Sequence, residues 1–195
     1  MRIFIPLYFA VVTLSAEYWP GWRGPNGDGI SNEKIAPKKW SDTKNIAWKK
    51  PIQGKGHSSP IVWGDRVFVT TSLTDQNERR LLCLDRLTGK ILWNNLVVKS
   101  LPESIHRLNS RASGTPATDG RQIYVTFMRA EGKKVIAPNV GSDRMITPGK
   151  IIVAAYNFNG KLKWKSNVAD FVSAHGFNSC PLLFEDLVII NGDHD

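Results

Sequence analysis

The stretch LLCLDRLTGKILW, residues Leu81–Trp93, predicts the fold of this chain because it describes one β-hairpin. Its two apolar runs have the length and β-propensity of strands, and Thr88-Gly89 between them suits a tight turn. Gly89 can adopt a positive φ at little cost, which such a turn requires. The pattern returns, with one residue deleted, as AYNFNGKLKW at Ala155–Trp164. A partial copy, NIAW at Asn45–Trp48, predicts the closing strand without its hairpin.

A second hairpin module alternates with the first. Three segments align without gaps, namely PIVWGDRVFV at 60–69, PATDGRQIYV at 116–125 and PLLFEDLVII at 181–190. Each contains a short strand, a polar turn and a β-branched strand. Two hairpins per repeat give four antiparallel strands, and repeats of this size are typical of β-propeller blades. We therefore predict an all-β, four-stranded antiparallel propeller over 45–195, with blades at about 59–95, 115–165 and 180–195.

The composition fits a globular β protein and argues against a nucleic-acid-binding one. The chain has 195 residues, which is enough for a sizeable core, and 10% of them are aromatic. The formal net charge of +9 would by itself favour a nucleic-acid partner. The lysines and arginines are scattered without a basic tract, so we predict a solvated surface and no nucleic-acid partner. An anionic envelope surface stays open as a partner.

The N-terminal residues 1–16 have the features of a secretory signal peptide. Arg2 gives a positive start, Ile3–Val12 an apolar core, and Leu14–Ala16 a cleavage site with a small final residue. A buried N-terminal strand is the alternative. No apolar stretch approaches the roughly 20 residues that cross a bilayer, so we expect an exported protein, periplasmic or secreted, without a transmembrane segment. Residues 17–44 follow as a strap and linker, in which Trp19 and Trp22 should rest on the blades, with ligand binding as the alternative.

The cysteines and the last residues of the chain bear on its redox state and extent. Cys83 and Cys180 lie in different modules of different repeats, so we expect two small buried thiols, although export would permit a disulfide. The third repeat ends with NGDHD at 191–195, before any second hairpin. Propellers need about four to eight blades to close a ring. The sequence therefore predicts the N-terminal fragment of a longer propeller.

Polar residues gather in the connections that precede the three prolines. Superposed repeats would bring the histidines of these connections to one end of the ring, where convergent loops form the usual ligand site. The functional hypothesis is a pocket there for a polar ligand such as a sugar or a metal ion, without an assigned set of metal ligands. Because the spacings from the proline differ among the copies, we favour the interpretation that these residues hydrogen-bond turn backbones. The candidate ligand-binding residues are His57, His106, Asn109, Arg111, His175, Asn178, Asp193 and His194. An insertion at Arg129–Lys150 in the second blade is a further candidate binding surface.

The half-blade at Cys83–Trp93 resembles the repeat of PQQ-type (pyrrolo-quinoline quinone-type) β-propellers, whose hallmark is [A/L]-x-[D/N]-x-x-[T/N]-G-K-x-x-W. The segment WPGWRGP at 19–25 is similar to the start of exported bacterial PQQ-binding-like propeller proteins. The family includes quinoprotein alcohol dehydrogenases and the propeller lipoprotein of the outer-membrane β-barrel assembly machinery. The resemblance implies that Trp93 and Trp164 dock between neighbouring blades. The same structural role is assigned to Trp48, Gly89 and Gly160.

The resemblance leaves two functions to weigh. Quinoprotein dehydrogenases combine a PQQ-stacking tryptophan with acidic and amide calcium ligands and often a disulfide between adjacent cysteines. Here no cysteines are adjacent, and no cluster offers the roughly six to eight oxygens that calcium takes. A shared fold does not transfer chemistry. We therefore favour a non-catalytic exported scaffold, without a cofactor, that binds a protein or small polar ligand at its loop face. A dehydrogenase of alcohols or sugars that uses PQQ with calcium is the alternative.

Overall fold

The computed structural model describes residues 17–34, 36–137 and 143–193. The predicted signal peptide at 1–16 and the candidate residue His194 lie outside these described residues. The predicted all-β architecture of four-stranded antiparallel sheets is confirmed, since a single 3-10 turn at Thr74–Gln76 is the helical part of what the structure describes. No helix in the described ranges is long and apolar enough to cross a membrane.

The first blade is a meander of four antiparallel strands in the order β1-β2-β3-β4. Phe68 on the second strand lies opposite Cys83 on the third, which lies opposite Trp93 on the fourth. This row of apolar side chains shares one face of the sheet because register places paired residues on the same side. The strands are β1 (Ile61–Trp63), β2 (Arg66–Leu73), β3 (Glu78–Asp85) and β4 (Ile91–Lys99).

The second blade repeats this arrangement, with a small hairpin inserted between its second and third strands. Its strands are β5 (Ala117–Thr118), β6 (Ile123–Ala130), β9 (Gly149–Tyr156) and β10 (Leu162–Phe171), and the hairpin is β7 (Val135–Ile136) with β8 (Met145–Ile146). The insertion is shorter than Arg129–Lys150, because β6 and β9 continue their pairing through Arg129 and Lys150. A third pair, β11 (Leu182–Phe184) and β12 (Leu187–Ile189), begins the next repeat.

The main core lies between the first two blades. Alternate residues of β6, among them Ile123 and Val125, face the first blade and pack in the cluster around Phe68. Residues of the opposite parity, such as Ile151 and Val153 on β9, belong to a second cluster that faces the third repeat. Because successive strand residues point to opposite faces, a strand covered on both sides is apolar throughout. This explains the run IIVAAY in β9.

The hairpin turn at the outer edge of the first blade is longer than the two-residue turn predicted at Thr88-Gly89. β3 ends at Asp85 and β4 begins at Ile91, so five residues form the turn. The Asp85 carboxylate accepts hydrogen bonds from the Thr88 hydroxyl at 2.7 Å and from the Thr88 and Leu87 backbone. The Thr88 hydroxyl and N–H hold the pKa of Asp85 below its usual value. Gly89 has φ +68°, the left-handed conformation that glycine adopts without strain.

Trp93 connects the first blade to the second. Its indole Nε1 donates to the carbonyl of Phe158 at 2.9 Å, in the outer turn of the second blade. The ring lies so close to Gly160 that a Cβ there would be 2.9 Å from Trp93 Cδ2. Phe68 completes the contact, with ring centroids 5.9 Å from Trp93 and 5.5 Å from Phe158. The tryptophan therefore joins adjacent blades through both packing and a hydrogen bond.

Trp48 makes the matching contact one blade earlier, although the strand predicted at Asn45–Trp48 is wrong. The structure assigns no strand to residues 45–50, because this segment has no neighbouring strand to pair with in the part of the chain described. Its indole still donates to the carbonyl of Arg86 at 2.8 Å. A Cβ on Gly89 would lie 2.5 Å from the Trp48 ring. The half-blade motif therefore encodes this tryptophan contact even where it forms no strand.

The residues before the three prolines form a chain of hydrogen bonds along the inner strands. The backbone N–H of Ser59 donates to Thr115 Oγ1 at 2.9 Å, and the N–H of Thr115 reaches Cys180 Sγ at 3.2 Å. Cys180 lies at this inner edge and is half-buried, so the prediction that it is buried is wrong, whereas Cys83 is buried as predicted. Both cysteines are free thiols. Burial raises the pKa of the Cys83 thiol to about 11, with Arg66 opposing the shift.

The strap at the N-terminal side crosses the inner strands of two blades. Trp19 pairs with Val62 of β1 in a two-way backbone bridge, and the carbonyl of Pro20 accepts the N–H of Thr118 in β5 at 2.8 Å. Tyr18 stacks on Trp63 with ring centroids 4.5 Å apart. Trp22 differs from the expectation that both tryptophans rest on the blades, because it is 57% exposed.

Candidate functional site

The candidate site lies at one end of the blades, which we call the loop face. There the segment before β1 (residues 53–58), the β2–β3 connection and the connection between β4 and β5 come together. The opposite end, the turn face, carries the short hairpin turns at 64–65, 86–90, 119–122 and 157–161. The loop-face segments enclose an open cavity of about 800 Å³, a size in the range of ligand pockets. The cavity is lined by residues 53–57, 72–76, Ile105, Arg107, Asn109, Ser110 and Arg111.

Two of the predicted histidines meet beside this cavity. The N–H of His106 donates to the carbonyl of His175 at 3.0 Å, and their rings lie 6.1 Å apart. The side chain of Asn109 donates to the same carbonyl at 2.8 Å. His106 Nδ1 accepts the N–H of Leu108 at 3.2 Å. These contacts tie the connection after the first blade to the connection after the second.

The other predicted residues divide into two groups. His57 and Arg111 line the cavity together with Asn109, and the His57 N–H donates to the carbonyl of Ala112 at 3.0 Å. Asn178 and Asp193 do not line it and are exposed elsewhere. The structure thus brings together five of the seven candidates that it describes, in or beside one cavity.

A buried ion cluster that sequence reasoning missed supports one wall of the cavity. Arg79 Nη2 lies 2.6 Å from Glu103 Oε2, and the two side chains are 0% and 3% exposed. Arg111 reaches the same carboxylate at 3.4 Å and donates to the Glu103 carbonyl at 2.6 Å. Burial raises the pKa of the Glu103 carboxyl and lowers that of the Arg79 guanidinium, and their ion pair opposes both shifts. No local pattern could reveal this pair, because its partners are 24 residues apart.

The walls of the cavity carry an excess of positive charge. Lys55 and Arg107 have no ion-pair partner within the described residues, and Arg111 shares one carboxylate with Arg79. Asp75, in the β2–β3 connection, is the carboxylate that lines the cavity itself. The described residues contain no group of three or more His, Cys, Asp or Glu that could hold a metal ion. The arrangement favours an anionic group over a cation.

The inserted hairpin extends the loop face. The Ala137 N–H donates to the Arg144 carbonyl at 2.8 Å, which continues the β7–β8 pairing. The Arg144 guanidinium reaches back to the carbonyl of Ile105 at 3.2 Å, in the connection that lines the cavity. Val135 and Ile136 present apolar side chains that are 41% and 60% exposed. The insertion therefore places an apolar patch at the same end of the molecule as the cavity.

Comparison with known proteins identifies one family. The family described as outer membrane protein assembly factor BamB matches the chain over residues 39–171. The matched range contains both four-stranded sheets and the connections that form the cavity. Among curated proteins, none matches this chain.

Proposed function

Because this chain belongs to the family of outer membrane protein assembly factor BamB, a family of PQQ-type propeller repeats, we propose that it is a non-catalytic binding module. It binds a protein partner in the cell envelope through its loop face. One observation carries this function: a basic cavity and an exposed apolar hairpin lie side by side at that face. Apolar patches with a polar rim are typical of protein-binding surfaces.

The state of the candidate residues supports binding over catalysis. His106 Nδ1 accepts the N–H of Leu108, and the side-chain amide of Asn109 donates to the carbonyl of His175. The guanidinium of Arg111 is engaged by Glu103. Groups committed in this way fix the shape of a surface, whereas a catalytic acid or base must reach the substrate with its titrating atom. The surface itself is supplied by exposed side chains such as Ile136 and Arg107.

Site-specific photo-crosslinking in the native host tests this function. A photoreactive residue is placed at Arg107 or Ile136 on the loop face, and at Leu87 or Asn159 on the turn face as matched exposed controls. We expect one protein to be captured at both loop-face positions and at neither control, with its identity given by mass spectrometry. Capture of the same protein at both faces, or of none at the loop face, would contradict the proposed function.

Export and the absence of catalysis are tested separately. We expect the tagged protein in the periplasm or the medium, shortened at its N-terminus near Ala16 by signal-peptide cleavage. We also expect no dye-linked oxidation of alcohols or sugars after PQQ and calcium are added to the intact protein. Turnover that depends on both additions would instead establish a quinoprotein dehydrogenase.

A further inference from the structure

We propose that the partner meets the loop face with an acidic protein surface that covers the inserted hairpin, β7 with β8. Carboxylates of that surface lie against Lys133, Lys134 and Arg144. Its apolar side chains cover Ile136 and Met145. This inference rests on the proposed function, because it specifies the chemistry of the partner at the same face. Two independent features of the insertion point to it, namely an outward apolar pair and a surplus of cations.

The inserted hairpin has one side held by the protein and one side left open. Strand pairing places Val135 opposite Ile146, and Ile136 opposite Met145. Paired residues lie on the same side of a hairpin, and successive residues lie on opposite sides. Ile146 is fully buried in a cluster with Ala174, so Ile136 and Met145 form the outer pair. These two side chains are 60% and 49% exposed, and they leave apolar surface for a partner to cover.

The hairpin is fixed by both of the connections beside it. Ile146 belongs to one cluster with Ala174, in the connection after the second blade. The Arg144 guanidinium donates to the carbonyl of Ile105 at 3.2 Å, in the connection after the first blade. A surface held at two points is largely preformed, so little conformational entropy is lost when a partner binds it.

The insertion between β6 and β9 carries more unpaired cations than carboxylates. Lys133, Lys134 and Arg144 are exposed, and none has a carboxylate within 4.0 Å in the described part of the chain. Glu131 is already paired with a strand arginine at 2.7 Å, which leaves Asp143 as the unpaired carboxylate of the described insertion. Cations around an apolar centre are complementary to a partner surface in which carboxylates surround apolar side chains.

The shape and the charge pattern of the loop face favour a protein over an anionic bilayer. Lys55 and Arg107 line the cavity of about 800 Å³, which a flat bilayer cannot enter. Asp143 in the insertion and Asp75 in the cavity would meet the uniform negative charge of such a bilayer. A protein surface can place carboxylates against the cations and neutral or basic groups against the two aspartates.

Photo-crosslinking from Ile136 in the native host measures the contribution of the cations. The test variant is Lys133→Glu with Lys134→Glu. The matched control is Lys90→Glu with Lys161→Glu, two exposed lysines in turns at the turn face. We expect the test pair to lower the captured amount of partner at least about tenfold, because attraction to carboxylates becomes repulsion, and the control to change it less than about twofold. Circular dichroism of the purified variants checks that both keep the fold.

Crosslinking from Arg107 measures the contribution of the apolar pair. Met145→Ser removes one member of the pair, and Leu87→Ser is the matched control at an exposed position of the turn face. We expect Met145→Ser to lower capture at least about fivefold and Leu87→Ser less than about twofold, because only Met145 is covered by the partner.

Vesicles of phosphatidylcholine with about 30% phosphatidylglycerol test the bilayer as the occupant. We expect no more of the purified protein to sediment with them than with phosphatidylcholine alone. Sedimentation with the anionic vesicles that is lost in the Lys133→Glu, Lys134→Glu variant would overturn the inference, and so would equal capture by the test and control variants. If capture is equal while the wild type still crosslinks one protein at both loop-face positions, this inference falls and the proposed function stands. Without capture by the wild type, both fall.

Discussion

The contact between Trp93 and the outer turn of the second blade makes the most demanding prediction about stability. Gly160 has φ +80°, and a Cβ there would lie 2.9 Å from both Trp93 Cδ2 and Asn95 Nδ2. The substitution Gly160→Ala therefore adds a steric clash to the strain of a left-handed backbone. Gly64 provides the matched control, because it has φ +57° and nothing lies within 4 Å of a Cβ built on it.

The two substitutions should differ by the clash and by the hydrogen bond that the clash weakens. A left-handed backbone costs an alanine about 1–2 kcal/mol, and both variants carry this term. Overpacking at a filled site costs a further 1–3 kcal/mol or so. Displacement of the indole also weakens its hydrogen bond to Phe158, which contributes about 0.5–1.5 kcal/mol. We expect Gly160→Ala to lower the free energy of unfolding by about 2–4 kcal/mol more than Gly64→Ala does.

Urea unfolding of the intact protein, followed by circular dichroism, measures this difference. A double-mutant cycle then assigns it to the tryptophan. In a Trp93→Ala background the indole is absent, and Asn95 Nδ2, at the end of a flexible side chain, can move away from the added Cβ. Gly160→Ala should then cost only the left-handed strain, like the Gly64→Ala control. The reasoning is refuted if the two glycine variants differ by less than about 0.5 kcal/mol, or if their difference persists without Trp93.

Three further predictions concern the inner edge, the buried ions and the outer turn. Thr115→Val removes the hydroxyl that accepts the Ser59 N–H, so the free energy of unfolding measured in urea should fall by about 1–2 kcal/mol. Thr115→Ser keeps the hydroxyl and should restore stability, and equal losses for the two variants would contradict the hydrogen bond. Glu103→Gln leaves the Arg79 cation buried without a counter-charge, so we expect a loss of about 3–5 kcal/mol, and a loss below about 1 kcal/mol would show that the pair is solvated. The lowered pKa of Asp85 contributes stability above the unfolded-state value of 3.8 that is lost as the pH falls through the folded-state pKa. Asp85→Asn should keep the turn, because Asn157 Oδ1 accepts backbone N–H groups in the corresponding turn of the second blade, which is one residue shorter. The thermal unfolding midpoint of this variant should fall less than that of wild type as the pH is lowered from 5 to about 2.

Some of the contacts between blades could be predicted from the sequence because they are encoded in each repeat. The half-blade motif carries a turn glycine and a closing tryptophan in each repeat, and the structure joins Trp93 of the first repeat to Gly160 of the second. The same motif marks Trp48, yet the strand predicted around it is absent. A strand exists only where a neighbour accepts its hydrogen bonds, whereas an indole needs only one carbonyl and a flat surface.

The candidate site was less accessible to sequence reasoning. His106, Asn109 and His175 meet because two connections 66 residues apart lie side by side at one end of the blades. Their position before a proline suggested this meeting, but Asn178 follows the same pattern and lies outside the cavity. The Arg79–Glu103 pair has no periodic signature, because it depends on how far one connection folds back over the end of β3.

By itself the sequence determined that this chain folds into hairpins, four strands to a unit, with tryptophan and glycine at the outer turns. Strand periodicity, turn residues and repeat spacing are properties of neighbouring residues, so they can be recognised before the chain is folded. Only the tertiary structure decided which connections share the cavity, which arginines are neutralised and which cations remain free. Those outcomes depend on the rotation between adjacent blades and on the path of each connection, and both are set by packing between residues distant in sequence.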